Sequence, residues 1–202
     1  VRIGDAVKRA AGDGMPAMAV TDLGNLFGLV KFYSGARGKG VKPIAGADVW
    51  IANPESPDDA YRLLLLARNN AGYKQLCELL SKAYLVEGRR DRAEINRDWF
   101  GEVGCDGLIA LSGAHLGDVG EALLNGNFDL AGQRAKAWEA IFPAAFYLEV
   151  QRYGQSQQEA IVQQMADLAG ETGIPLVATH PIQFLNRDDF RAHEARVCIA
   201  EG

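Results

Sequence analysis

The sequence has little of what disulfide-bonded and zinc-bound small domains are built from. It contains three histidines and three cysteines, and Cys77, Cys105 and Cys198 lie far apart with no Cys-x-x-Cys pair. Isolated cysteines in odd number argue against a disulfide framework or a structural zinc site and fit a reducing, cytoplasmic compartment. No apolar run approaches the roughly 18 residues of a membrane-spanning helix, so we expect no membrane segment.

An excess of basic residues is also missing. Lys+Arg number 21 against 26 Asp+Glu, which gives a net charge of −5, whereas chains that bind nucleic acid on their own are usually basic. The 202 residues are 48% hydrophobic and 23% charged, values typical of a soluble globular domain, and they exclude wholesale disorder. The chain opens at Val1 and ends at Gly202 directly after an apolar helical pattern, so we expect a piece of a longer protein.

Strand and helix patterns alternate along the whole chain, with no repeat or linker to divide it. We predict strands over 17–20, 43–51, 63–67, 108–111, 146–150 and 175–178, with helices between them. The apolar run at 63–67 predicts a buried parallel strand, the charged stretch 87–94 an exposed loop, and Asn25 a helix cap. This order predicts a single α/β domain with a mainly parallel sheet, open or barrel-like.

Polar side chains follow the predicted strands where such folds place their chemistry. They are Thr21, Asp22, Asp48, Ser112, His115, Glu149, Gln151, Thr179 and His180. Carboxylates and imidazoles meeting at one barrel mouth are able to hold a metal ion that activates water for phosphate-ester hydrolysis. No pair has a close ligand spacing such as His-x-His. The spacing alone therefore favours another interpretation, in which Asp22 caps the next helix, Asp48 and Glu149 are solvated or salt-bridged, and the histidines are ordinary loop residues.

Two short basic clusters are candidates for contact with a phosphate backbone, although such clusters are usually solvated surface. They are Arg37, Lys39 and Lys42, and Arg89, Arg90 and Arg92.

Several motifs together resemble one family. The stretches are Gly14–Asp22, Gly24–Tyr33, Lys42–Asp48, Asn69–Tyr73, Leu80–Tyr84, Leu111–Gly113, Gly117–Val119, Tyr147–Gln151 and Pro175–Thr179. In this order and spacing the chain resembles the PHP (polymerase and histidinol phosphatase) domain of bacterial DNA polymerase III alpha subunits. The resemblance implies a distorted seven-stranded TIM-like (βα) barrel, with 1–202 as a single PHP domain that lacks its first strand and is truncated at both ends. It also implies a parent that is a DNA-directed DNA polymerase using Mg²⁺, with no catalytic residue or cofactor in this piece.

The resemblance further implies that the metal site of active relatives is degenerate here. Of six ligand positions inside the chain, only Asp48 keeps a ligand-type side chain. The other positions fall at Leu23, Arg62 (or Tyr61), Ala114, Pro181 and Gln183. Leu, Ala and Pro offer no lone pair, and Arg repels cations. We therefore expect no metal, with Asp22, Asp48, Glu149 and His180 as the residual candidates.

Three expectations concern partners and activity, the first from the resemblance and the others from the residues at the strand ends and from the arginine cluster. The first is a non-catalytic scaffold that docks the separate proofreading exonuclease subunit among other replicase subunits, with DNA bound by the rest of the parent chain. The alternative is a residual metal-dependent phosphoesterase or pyrophosphatase at the barrel mouth, or direct DNA contact through 89–92. A barrel without its first strand also exposes an edge through which the chain is expected to dimerise or rearrange.

Overall fold

The computed structural model describes residues 1–86, 92–154 and 156–201, and these parts contain seven strands and eight α-helices. The strands are β1 (Ala17–Leu23), β2 (Lys42–Ile51), β3 (Tyr61–Ala67), β4 (Glu94–Ile95), β5 (Leu108–Leu111), β6 (Phe146–Gln151) and β7 (Leu176–Thr179). The helices are α1 (Ile3–Gly12), α2 (Leu29–Arg37), α3 (Asn70–Leu85), α4 (Trp99–Val103), α5 (Asp118–Leu124), α6 (Phe128–Ile141), α7 (Ser156–Thr172) and α8 (Phe190–Glu201). Short 3₁₀ turns cover Ala114–Leu116 and Arg187–Asp189.

All the strands belong to one mixed sheet of order β1-β2-β3-β5-β6-β7, and β4 pairs with β2 outside this path. The pairs β1–β2, β2–β4, β5–β6 and β6–β7 are parallel, which confirms the α/β class and the mainly parallel sheet. The prediction of a parallel strand at 63–67 is wrong, because β3 runs antiparallel to both β2 and β5. The short connection 52–60 contains no helix, and a parallel return needs a crossover of roughly a dozen residues or more.

Two apolar cores hold helices α1 to α7 on this sheet. The larger core lies between the sheet and α3 to α7, and its aromatic centre is formed by Phe100, Trp138 and Phe142. The smaller core joins α1 and α2 to β1 and β2 through Val7, Phe32 and neighbouring residues. The inner faces of the two longest helices are buried in the larger core, through Leu76 and Leu79 of α3 and Met165 and Leu168 of α7. In the described ranges, the structure has no helix that is both long and apolar enough to cross a membrane.

Two local predictions need correction. Glu94 was expected in an exposed loop but is buried in β4, while residues 87–91 lie outside the described part of the chain. Asn25 does not cap α2. Its side-chain oxygen accepts the Phe27 N–H at 3.0 Å and closes a turn, and α2 begins later, after Gly28.

Helix α3 crosses the chain just before β5 at very short range. Asn69 caps α3 by accepting the Gly72 N–H at 3.0 Å. A Cβ atom on Gly72 would lie 1.7 Å from the Gly107 carbonyl oxygen, so this crossing requires glycine. This close backbone contact sets the distance at which the start of α3 packs against the chain before β5.

Candidate functional site

The barrel mouth is dominated by an ion pair between neighbouring strands. Arg62 at the start of β3 donates from Nε to Asp48 Oδ1 at 2.9 Å, and its Nη2 contacts Asp48 Oδ2. The Arg62 guanidinium also lies 4.5 Å from the ring centroid of Trp50, two residues beyond Asp48 on β2. The side chains of Arg62 and Asp48 are 15% and 25% exposed, so water screens the pair only in part. Both carboxylate oxygens of Asp48 are therefore engaged by a cation that belongs to the protein.

Glu149 on β6 is buried and is held by neutral donors. The Gly113 N–H donates to its Oε2 at 3.0 Å, and the Gln151 amide and the Thr179 hydroxyl donate to Oε1. Burial raises the pKa of Glu149, and the nearby Asp48 carboxylate raises it further. Glu149 is thus neither solvated nor salt-bridged, so the interpretation drawn from spacing is wrong for this residue.

Asp22 and Leu23 lie beside this pair at the end of β1. Asp22 Oδ2 accepts the Gly28 N–H at 2.9 Å, so its carboxylate binds the backbone of the residue that precedes α2. Leu23 is opposite Asp48 in the sheet register and brings an apolar side chain to this edge of the sheet. Asp22 therefore holds the loop before α2 but does not cap the helix as the interpretation from spacing expected, because no side chain caps the N-terminus of α2.

The two histidines near the strand ends differ in environment. His115 is buried in the 3₁₀ turn after β5, burial lowers its pKa, and its Nδ1 has no hydrogen-bond partner in the described residues. His180 is exposed after β7 and packs edge-on to Tyr153 at a centroid distance of 6.0 Å. Neither ring is directed to Asp48 or Glu149 by a hydrogen bond in the described parts of the chain.

The described residues of this site do not gather a set of metal ligands. In residues 1–86, 92–154 and 156–201, no three His, Cys, Asp or Glu side chains lie close enough together to share one. A tightly held metal normally takes at least three protein ligands, and here the Asp48 carboxylate already carries the Arg62 guanidinium. Pro181 and Gln183 lie exposed after β7.

Sequence reasoning missed the aromatic support of the pair. Two guanidinium groups lie over the Trp50 ring, that of Arg62 at 4.5 Å and that of Arg92 at 5.3 Å from its centroid. Alternate residues of a strand lie on the same face of the sheet. The spacing of Asp48 and Trp50 could therefore have indicated that their side chains are neighbours. Arg92 is held by Glu94 and by the carbonyl oxygen of Asp58, so the protein itself engages this member of the predicted DNA-contacting cluster. Arg89 and Arg90 lie outside the described residues.

The comparisons with known proteins agree with this architecture. The family profile for the PHP domain matches residues 1–153, and the chain belongs to that family. It is 52% identical, over its whole length, to DNA polymerase III subunit alpha of Neisseria meningitidis serogroup A, and 44% identical over 97% of its length to that of Escherichia coli K12. It spans 18% and 17% of the length of those two proteins.

A solved structure supports the fold. The chain resembles an amidohydrolase from Chromobacterium violaceum with a TM-score of 0.55 at 14% identity, covering 97% of this chain and 92% of the other. At that identity the likeness shows the fold alone, and it confirms the barrel-like α/β architecture expected from the sequence. The assignment of 154–202 to the same domain stays a prediction, because the family profile ends at residue 153.

Proposed function

We propose that this chain is the PHP portion of a DNA polymerase III alpha subunit, a DNA-directed DNA polymerase that replicates DNA in the cytoplasm. The support is its 44–52% identity to such subunits across nearly all of its length. The chain spans about a fifth or less of those proteins. Polymerisation, the Mg²⁺ it uses and the grip on DNA therefore belong, in this proposal, to the rest of the polypeptide.

Within that polymerase we propose a metal-free, non-catalytic scaffold. The Arg62–Asp48 ion pair at the barrel mouth is the observation that carries this proposal. A metal ion at Asp48 would have to displace a guanidinium that is tethered to the neighbouring strand and stacked on Trp50. Its permanent positive charge would also repel the incoming cation.

The metal content of the protein, purified without chelator, tests this directly. We expect elemental analysis to find no stoichiometric zinc, manganese or iron, and no turnover of p-nitrophenyl phosphate. Arg62→Met is the matched variant, since it removes the cation and keeps an unbranched side chain as far as the position of Nε, and we expect it to stay free of metal because the described residues offer no further set of ligands. Stoichiometric metal with phosphatase activity in the unaltered chain would instead establish the residual phosphoesterase.

We also propose that this scaffold docks the separate proofreading exonuclease subunit. The proposal follows from the family resemblance together with a barrel mouth that has no ligand set in its described residues. Gel filtration of the chain mixed with purified exonuclease subunit should give one co-eluting peak that neither protein gives alone. Separate elution at a few tens of micromolar would contradict the docking role.

A further inference from the structure

Helix α2 exposes a stripe of large side chains that the fold does not use. The outer stripe consists of Phe27, in the turn just before α2, and of Val30, Tyr33 and Arg37, which recur at the three- and four-residue spacing of one face of α2. Phe27 is 89% exposed and Val30 is 78% exposed, although both are strongly apolar. The opposite face of α2 is buried in the smaller core, so the helix is anchored without the outer stripe.

The carboxyl end of the outer stripe is basic. Arg37 donates to the Tyr33 hydroxyl at 3.2 Å, and Lys39 and Lys42 follow within five residues. Among the described residues, none of these three cations forms an ion pair with a carboxylate. Arg37, Tyr33 and Lys42 line an open groove of about 470 Å³ whose walls include Pro16 and Pro43. Arg37 and Lys39 lie at the carboxyl end of α2, where the helix dipole is negative and favours a cation. These two side chains and Lys42 are nevertheless exposed to solvent.

A tyrosine of α3 lies near the other end of the outer stripe. Tyr84 near the end of α3 is 61% exposed, and its hydroxyl lies 3.8 Å from the position of a Cβ on Gly24 in the loop that leads to Phe27. Taking 150–250 Å² for an aromatic side chain, the outer stripe and Tyr84 expose on the order of 500 Å². That matches the largest apolar patches found on monomers, which usually mark interaction sites.

We propose that the outer stripe and its basic groove form the surface on which another part of the same polymerase polypeptide packs. That part is expected to present apolar side chains to Phe27 and Val30 and carboxylates to Arg37 and Lys42. The inference rests on the proposed function, because the related subunits extend far beyond this chain, which spans only 17–18% of them.

The size and composition of the surface favour this occupant. A patch on the order of 500 Å² per side suits contacts between domains of one chain, which bury roughly 600–1,500 Å² in total. It is smaller than the roughly 800 Å² per partner that separate proteins usually bury. A covalent tether raises the effective concentration of the neighbouring domain, so a modest patch suffices. DNA would neutralise the basic end and leave Phe27 and Val30 in water.

Cysteine labelling of the whole polymerase subunit tests the proposal. Val30→Cys reports on the outer stripe, and Lys31→Cys is the matched control, because Lys31 is exposed on the same helix about 100° from Val30. The rate of maleimide modification is read at each site by peptide mass spectrometry, relative to the same variant in concentrated urea. We expect Val30→Cys to react on the order of tenfold more slowly than Lys31→Cys in the folded subunit.

Two other labelling results would contradict the inference, and each points to a different state of the outer stripe. Equal rates at the two sites would show that the outer stripe is uncovered. Protection that appears only with added exonuclease subunit, with single-stranded DNA, or at high protein concentration would assign the surface to that partner or to a second copy. Primer extension by the same preparation keeps the two proposals apart, because loss of polymerase activity contradicts the proposed function whatever the labelling shows.

Discussion

Replacement of Arg62 by Met should destabilise the chain by more than an exposed ion pair would allow. The change leaves the Asp48 carboxylate, only 25% exposed, without its cation. Breaking a fully buried pair costs about 3–5 kcal/mol, and an exposed pair is worth at most about 1 kcal/mol. Because these two side chains are 15% and 25% exposed, we expect an intermediate loss of about 2–3 kcal/mol, in which the lost contact with Trp50 is included.

Urea unfolding followed by tryptophan fluorescence measures this loss. With a slope of about 2 kcal/mol per molar urea, the midpoint should fall by roughly 1–1.5 M. A double-mutant cycle with Asp48→Asn isolates the pair, and we expect a coupling energy of about 1–2 kcal/mol. Salt should weaken the coupling only slightly, because the pair is mostly shielded. A coupling energy near zero, or an unchanged midpoint in Arg62→Met, would refute the idea that this pair holds β2 and β3 together at the mouth.

Three further substitutions test other parts of the fold by equilibrium unfolding. Gly72→Ala should cost more than about 3 kcal/mol because its Cβ has no room, whereas Gly101→Ala, with nothing within 4 Å, should be neutral or slightly stabilising. Asp118→Ala should cost about 2–4 kcal/mol, since it strips the buried Trp138 indole N–H of its acceptor, and a loss below about 1 kcal/mol would contradict this. Burial raises the pKa of Glu149, so the protein should lose stability relative to Glu149→Gln as pH rises from the ordinary glutamate pKa through the raised one. A difference independent of pH would mean that the Glu149 pKa is not raised.

Apolar runs were sufficient to predict six of the strands. The predicted range 108–111 coincides with β5, and 43–51 differs from β2 by one residue, because apolar runs bounded by turn residues leave few alternatives. Strand β4 was missed, since two residues contain no period and pair with a strand more than forty residues earlier. The role of Asp118 was missed for the same reason. Its partners Arg97 and Trp138 come from distant parts of the chain.

The direction of β3 decided how much of the site could be predicted. In a parallel sheet the first residues of a strand lie at the end away from the mouth, which would have separated Arg62 from Asp48. The antiparallel strand instead places Arg62 opposite Trp50, at the end of β2 that carries Asp48. Only the family resemblance indicated that Arg62 occupies a position at the mouth, because the apolar run of β3 predicts burial and carries no information on direction.

The two carboxylates at the barrel mouth are stabilised in different ways, and both arrangements disfavour the binding of an added cation. Asp48 is neutralised by Arg62, and any metal must first break that pair. Glu149 is held by neutral donors from Gly113, Gln151 and Thr179, and its raised pKa makes it a poorer anion. An ionised Glu149 would not create a site either, because the described residues around it do not supply two further ligands. Loss of the Arg62 charge alone should consequently destabilise the fold without conferring metal binding.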